Sequence, residues 1–147
     1  SEDTGHPQTL FTALIAAMPA SLVPVTPMLA FLARASAHHP CHLLSNIAGD
    51  TWRAVCQRYA FPRCFQSMTL SYVVGVNKPA ERIYTHSFAA GAFAPEDAVF
   101  IDDRQENLAA SEALGMAGLY LPIPAQADAA IACLERWLGG GPLEQVS

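Results

Sequence analysis

The chain has 147 residues, with 8 basic and 13 acidic side chains and a formal net charge of −5. That length suits one domain with a core of ordinary size, and a composition 52% hydrophobic and 14% charged excludes a disordered chain. The mild acidity and the lack of any basic stripe exclude a dedicated nucleic-acid binder, because nothing is present to neutralise a run of phosphates.

In chain order, residues 1–8 are polar, and Leu10 to Met18 reads as a short apolar helix ended near Pro19. Thr26-Pro27 reads as an N-cap followed by proline at the first helical position, opening a helix from Met28 to Ala37 that Pro40 stops. Residues 10–33 carry no charge, but Pro19, Pro24 and Pro27 interrupt them. A spanning helix wants about 20 predominantly apolar residues, so the stretch reads as core and no membrane span is expected. Cys41 to Leu44 is a buried strand ending in the polar turn Ser45-Asn46. Trp52 to Tyr59 is a helix, Gln66 to Val74 a weaker strand and loop, and Gly75-Val76-Asn77 a turn before a helix that Lys78-Pro79 opens. Ala98 to Ile101 is a strand running into Asp102-Asp103, Glu106 to Leu114 a helix with Gly115 as its C-cap, Gly118 to Leu121 the last strand, and Ala127 to Leu138 an amphipathic helix. Strict alternation of this kind gives an α/β, mostly parallel sheet flanked by helices.

In an open parallel sheet, ligands bind outside the carboxyl ends of the strands. The residues at those junctions are Ser45 and Asn46, then Lys78, which is the chain's one lysine, then Asp102 and Asp103. A hydroxyl, an ammonium and two carboxylates on one edge suit a phosphoryl group with Mg²⁺, which takes one or two carboxylates and fills its shell with water and phosphate oxygens. Each piece alone has a plainer reading: paired aspartates make a turn and a helix cap, Ser-Asn caps a loop, and a lysine lies on the surface. Asp50 reads as a helix N-cap. His38, His39, Cys41 and His42 invite a zinc or copper reading, but their spacing fits no closed tetrahedral site at one helix end. The four cysteines show no CxxC spacing, and the N-terminus lacks a basic region ahead of an apolar run. Reduced thiols in a cytoplasmic protein are the expectation.

At these residues the sequence resembles the haloacid dehalogenase-like hydrolase superfamily. Leu43-Leu44-Ser45-Asn46 is similar to its second motif, Gly75-Val76-Asn77-Lys78-Pro79 to its third, and Phe100-Ile101-Asp102-Asp103-Arg104 through Asn107 to its fourth. The resemblance implies a Rossmann-like core, phosphoester hydrolysis with Mg²⁺ through an aspartyl-phosphate, and a small phosphorylated metabolite as substrate. Carried over, Ser45 and Asn46 would bind the phosphoryl group, Lys78 would balance its charge, and Asp102 and Asp103 would hold Mg²⁺. The acidic pair favours the phosphatase-type branch over the dehalogenases.

The family's first motif, a hydrophobic strand ending in Asp-x-Asp, has no counterpart here, because none of the chain's six aspartates follows an apolar strand with a second two places on. No nucleophile is therefore assigned. The expectation is an N-terminally truncated core in which residues 1–24 are a cap remnant and linker, 25–138 the core and 139–147 a loose tail, inactive as it stands. The alternative is a non-catalytic module that binds phosphate and Mg²⁺ or a protein partner. In the family, the nucleophile strand lies between the strands that end here at Ser45 and Ile101. Its loss predicts a gap ~9–10 Å wide, two inter-strand spacings. The sheet would re-pair around that gap, or self-association, a complementing segment, or residues 8–24 in an unexpected role would fill it.

Overall fold

The structure, a computed structural model, describes residues 9–12, 26–121 and 127–145. Its frame is a five-stranded parallel sheet of β1 (Thr9–Thr12), β2 (Cys41–Ser45), β3 (Ser67–Leu70), β4 (Ala98–Asp102) and β5 (Ala117–Tyr120) in the order β3-β2-β1-β4-β5. The helices are α1 (Thr26–Ser36), α2 (Gly49–Arg58), the single turn α3 (Ser71–Val74), α4 (Glu81–Gly91), α5 (Gln105–Ala113) and α6 (Ala127–Leu138). None of these described helices is long and apolar enough to cross a membrane.

Period-two alternation in the strands builds two cores, one on each face. From β2 and β4, Cys41, Leu43, Val99 and Ile101 pack on one face with Met28, Phe31 and Leu32 of α1, Trp52 and Val55 of α2, and Leu134 and Trp137 of α6. On the other face Leu44, Ala98 and Phe100 pack with Ile83 and Tyr84 of α4 and Leu108 of α5. All five residues of β2 and all five of β4 are buried. Strands covered on both faces read as continuous apolar runs without polar alternation.

The largest departure from the sequence reading is at the N-terminus. The helix expected from Leu10 to Met18 is replaced, over its described part, by β1 in the middle of the sheet; residues 13–18 lie outside the described residues. Leu10 pairs with Cys41 on one side and with Val99 on the other, and Thr12 with Leu43 and Ile101. The reason is non-local. Four residues, Leu10 and Phe11 between two threonines, cannot be assigned by periodicity, but two flanking strands offer two rows of ladder groups that must find partners. Thr and Phe suit a strand. The gap is therefore filled by the chain itself, and residues 9–12 belong to the sheet, not to a cap remnant.

The remaining boundaries move by up to three residues, most at the starts of α2 and α4, except that the weak strand expected from Gln66 to Val74 divides into β3 and α3. Replacing Phe11 by Pro should remove a ladder donor from a central strand and lower the unfolding free energy by at least about 2 kcal/mol. Urea denaturation measures it, and a change below about 0.5 kcal/mol, as at an ordinary surface position, would contradict the central placement.

Candidate functional site

The strand order changes direction at β1, so the crevice of this sheet opens at the carboxyl ends of β2, β1 and β4. Register sets the levels. Thr12 pairs with Leu43 and Ile101, so Ser45 lies two residues beyond its pairing level on one side and Asp102 one residue beyond it on the other.

Lys78 lies between α3 and α4, after a turn in which Gly75 takes a φ of +92°, a conformation that favours glycine. Its ammonium donates to Asp102 Oδ2 at 2.8 Å, and both side chains are fully buried. Asn107, in the first turns of α5, donates its Nδ2 to the same oxygen at 3.2 Å, and the Arg104 N–H donates to Asp102 Oδ1 at 2.9 Å. Three donors thus satisfy one buried carboxylate. The Lys78 ammonium also lies 5.4 Å from the centroid of the Phe100 ring, within cation–π range. Burial pulls the lysine below its ordinary pKa, and the Asp102 carboxylate opposes that pull.

Asp103, half-buried at the rim, is raised above the ordinary carboxylate range, first by burial and then by the adjoining Asp102. The pair is a concentration of hard oxygen donors whose repulsion a divalent cation would relieve. Among the described residues, no three His, Cys, Asp or Glu side chains gather into a metal site; Asp103 at the rim, with Asp102 beside it, would suit a cation that draws its other ligands from water and phosphate. Ser45 Oγ is completely buried and has no hydrogen-bond partner among the described residues. A buried hydroxyl left without a partner costs about 1–3 kcal/mol.

Lys78 and Asp102 thus meet, with Asp103 at the rim, and Ser45 ends β2 on the same carboxyl edge of the sheet. The Asn46 carboxamide contacts the Lys78 backbone, its Oδ1 accepting from the N–H and its Nδ2 donating to the carbonyl. Asp50 lies in the first turn of α2, where its carboxylate accepts from the Thr51 N–H. Two contributors were not assigned a role from the sequence. Tyr84 donates its hydroxyl to the Asn107 carbonyl at 2.9 Å, under the acidic loop, and Ser71 contacts the turn after β2. Only the place of Tyr84 five residues after the third motif hinted at the first. The histidine cluster does not converge either. His42 is buried on the core side of β2, its Nδ1 2.7 Å from Ser67 Oγ and its ring against Phe93. The Cys41 thiol is pushed up to about 12 by burial.

No family model matches the sequence. A sesquiterpene phosphatase of Aspergillus oryzae is 26% identical over 94 residues, 64% of this chain and 45% of its own. A HAD family enzyme of Bacteroides thetaiotaomicron, solved in complex with magnesium and inorganic phosphate, superposes with a TM-score of 0.63 at 25% identity over 69% of this chain and 55% of that one. An uncharacterised protein of Corynebacterium glutamicum shares the fold over 96% of this chain and 99% of its own, with a TM-score of 0.72 at 21% identity. The chain thus spans about half the length of the phosphatase and of the Bacteroides enzyme. With the three motifs at the strand ends of one sheet, these likenesses define the class by its fold: the chain has the fold of the haloacid dehalogenase-like (HAD) hydrolases and resembles that superfamily in sequence.

Two measurements check this description. Lys78→Met leaves Asp102 buried without its cation and should cost about 3–5 kcal/mol, whereas the double change Lys78→Met/Asp102→Leu should recover most of that loss; urea denaturation of both variants reads it. His42 titrates near 4 instead of its ordinary 6.5 because burial disfavours its charged form. The folded state then binds fewer protons than the unfolded one between these values. Stability should be full above about pH 6.5 and fall toward pH 4 by up to about 3 kcal/mol, and His42→Gln should flatten that slope.

Proposed function

We propose that this chain is a phosphoryl-ligand-binding domain with the HAD-like fold, holding a small phosphorylated molecule together with Mg²⁺ and forming no phosphoenzyme of its own. The observation that carries this reading is β1. In the family, the strand between these neighbours ends in the attacking carboxylate; here that place is filled by Thr9-Leu10-Phe11-Thr12, which carries no acid. A complementing strand with Asp-x-Asp would first have to displace β1 from both of its ladders.

The binding half of the chemistry has its residues. The unpartnered Ser45 hydroxyl donates to a phosphoryl oxygen, and the Lys78 ammonium, shared with Asp102, offsets the negative charge. Asp103, with Asp102 beside it, would hold Mg²⁺, which supplies the charge stabilisation of the phosphoryl group when bound. Resemblance to a phosphatase over 64% of the chain supports a phosphate ester as the ligand class.

Calorimetry with inorganic phosphate and Mg²⁺, beside turnover of p-nitrophenyl phosphate, tests both halves. The unaltered chain should bind phosphate in a Mg²⁺-dependent way and show background turnover. Ser45→Ala should weaken phosphate binding roughly tenfold while raising the melting temperature, because it deletes a buried group with no partner. Mg²⁺-dependent turnover abolished by replacing one carboxylate of this chain would overturn the non-catalytic half, and absence of phosphate binding would overturn the other.

A further inference from the structure

The turn after β2 is tied to the loops beside it by two reciprocal hydrogen-bond pairs. Asn46 Oδ1 accepts from the Lys78 N–H at 2.8 Å, and Asn46 Nδ2 donates to the Lys78 carbonyl at 3.2 Å. One residue on, Ser71 Oγ accepts from the Ile47 N–H at 2.9 Å and donates to the Ile47 carbonyl at 3.2 Å. Lys78 belongs to neither α3 nor α4, so no helix provides for its backbone polar groups. Asn46 provides for both. The lysine is therefore held at two ends by two strands' loops: its backbone by the turn after β2, its ammonium by Asp102 at the end of β4.

From this geometry we infer that Asn46 is a positioning residue for Lys78 and not a ligand of the phosphoryl group, with Ser71 fixing the turn from which it acts. Asn46 follows Ser45 directly, so one rigid turn sets the spacing between the hydroxyl and the ammonium. The carboxamide's acceptor and one of its two N–H groups are already spent on Lys78. A ligand that needs both ends of the cradle at once meets them already in place, without first ordering a flexible lysine. The inference rests on the phosphate-binding reading of the site for its consequence, though not for its geometry.

Asn46→Ala tests it by two readings taken well below the melting temperature: amide hydrogen exchange at Lys78, and calorimetry with inorganic phosphate and Mg²⁺. Exchange at the Lys78 amide should accelerate, and phosphate affinity should fall about tenfold. Ser71→Ala should shift phosphate affinity in the same direction by about threefold, and carries the test if Asn46→Ala does not fold. Ile131→Val, in the core on the opposite face, should lower the melting temperature without moving either reading. Unchanged exchange at Lys78 would overturn the clasp. Faster exchange with unaltered phosphate affinity would overturn the positioning role, as would an equal loss of affinity in Ile131→Val. If the unaltered chain binds no phosphate, the proposed function fails instead, and the exchange rates alone decide the clasp.

Discussion

The ion pair between Lys78 and Asp102 is the constraint on which the rest of the site depends. Two opposite charges, completely shielded from water, persist only with close geometry and with the remaining polar capacity satisfied. The neighbourhood meets both conditions. Asn107 and the Arg104 N–H complete the carboxylate, Tyr84 holds the Asn107 backbone, and Asn46 holds the lysine by its own backbone. Stability alone does not account for this arrangement, since an apolar pair of similar volume often serves a core as well or better. Under the proposed function, the buried cation at the end of β4 and the buried hydroxyl at the end of β2, which has no partner among the described residues, serve as the two sides of an anion cradle.

Strand β1 changes what that cradle means. A missing central strand would have left two neighbours with bare ladders, and an intruding partner or a rearranged sheet would have followed. The chain instead closes its own sheet with four residues that suit a strand and carry no carboxylate. The scaffold of a HAD-like core is kept, and the strand in its centre carries no carboxylate; under the proposed function the two together mean binding without a phosphoenzyme. Fold and function separate here as they do across large superfamilies, where chemistry lives in side chains grafted onto a common frame.

Much of this was legible in the sequence because it was local. The final helix, Ala127–Leu138, follows from its amphipathic spacing, and the placing of Ser45 and Asp102 at strand ends on one edge, with Lys78 against Asp102, follows from which residues end the strands. The parallel sheet follows from alternation. What escaped is what depends on distant partners. Leu10-Phe11-Thr12 reads as the start of a helix until two flanking ladders make it a strand. Asn46 looked like a ligand because it adjoins Ser45, whereas its carboxamide answers a backbone 32 positions away. Tyr84 and Ser71 act through contacts with backbone atoms, which leave no pattern in the order of residues. The histidines around Cys41 suggested a metal by proximity along the chain, and the strand pairing sends His42 toward Ser67 instead.

A crystal structure grown with tungstate and Mg²⁺ tests the central claim most directly, because the heavy oxyanion reports its own position. The account predicts tungsten at the end of β1, with oxyanion oxygens about 3 Å from both Ser45 Oγ and Lys78 Nζ, Asp103 on the cation side, and no aspartate in line with the oxyanion as an attacking group. Tungstate bound elsewhere with this edge empty, or an aspartate of this chain aligned behind it, would contradict the account.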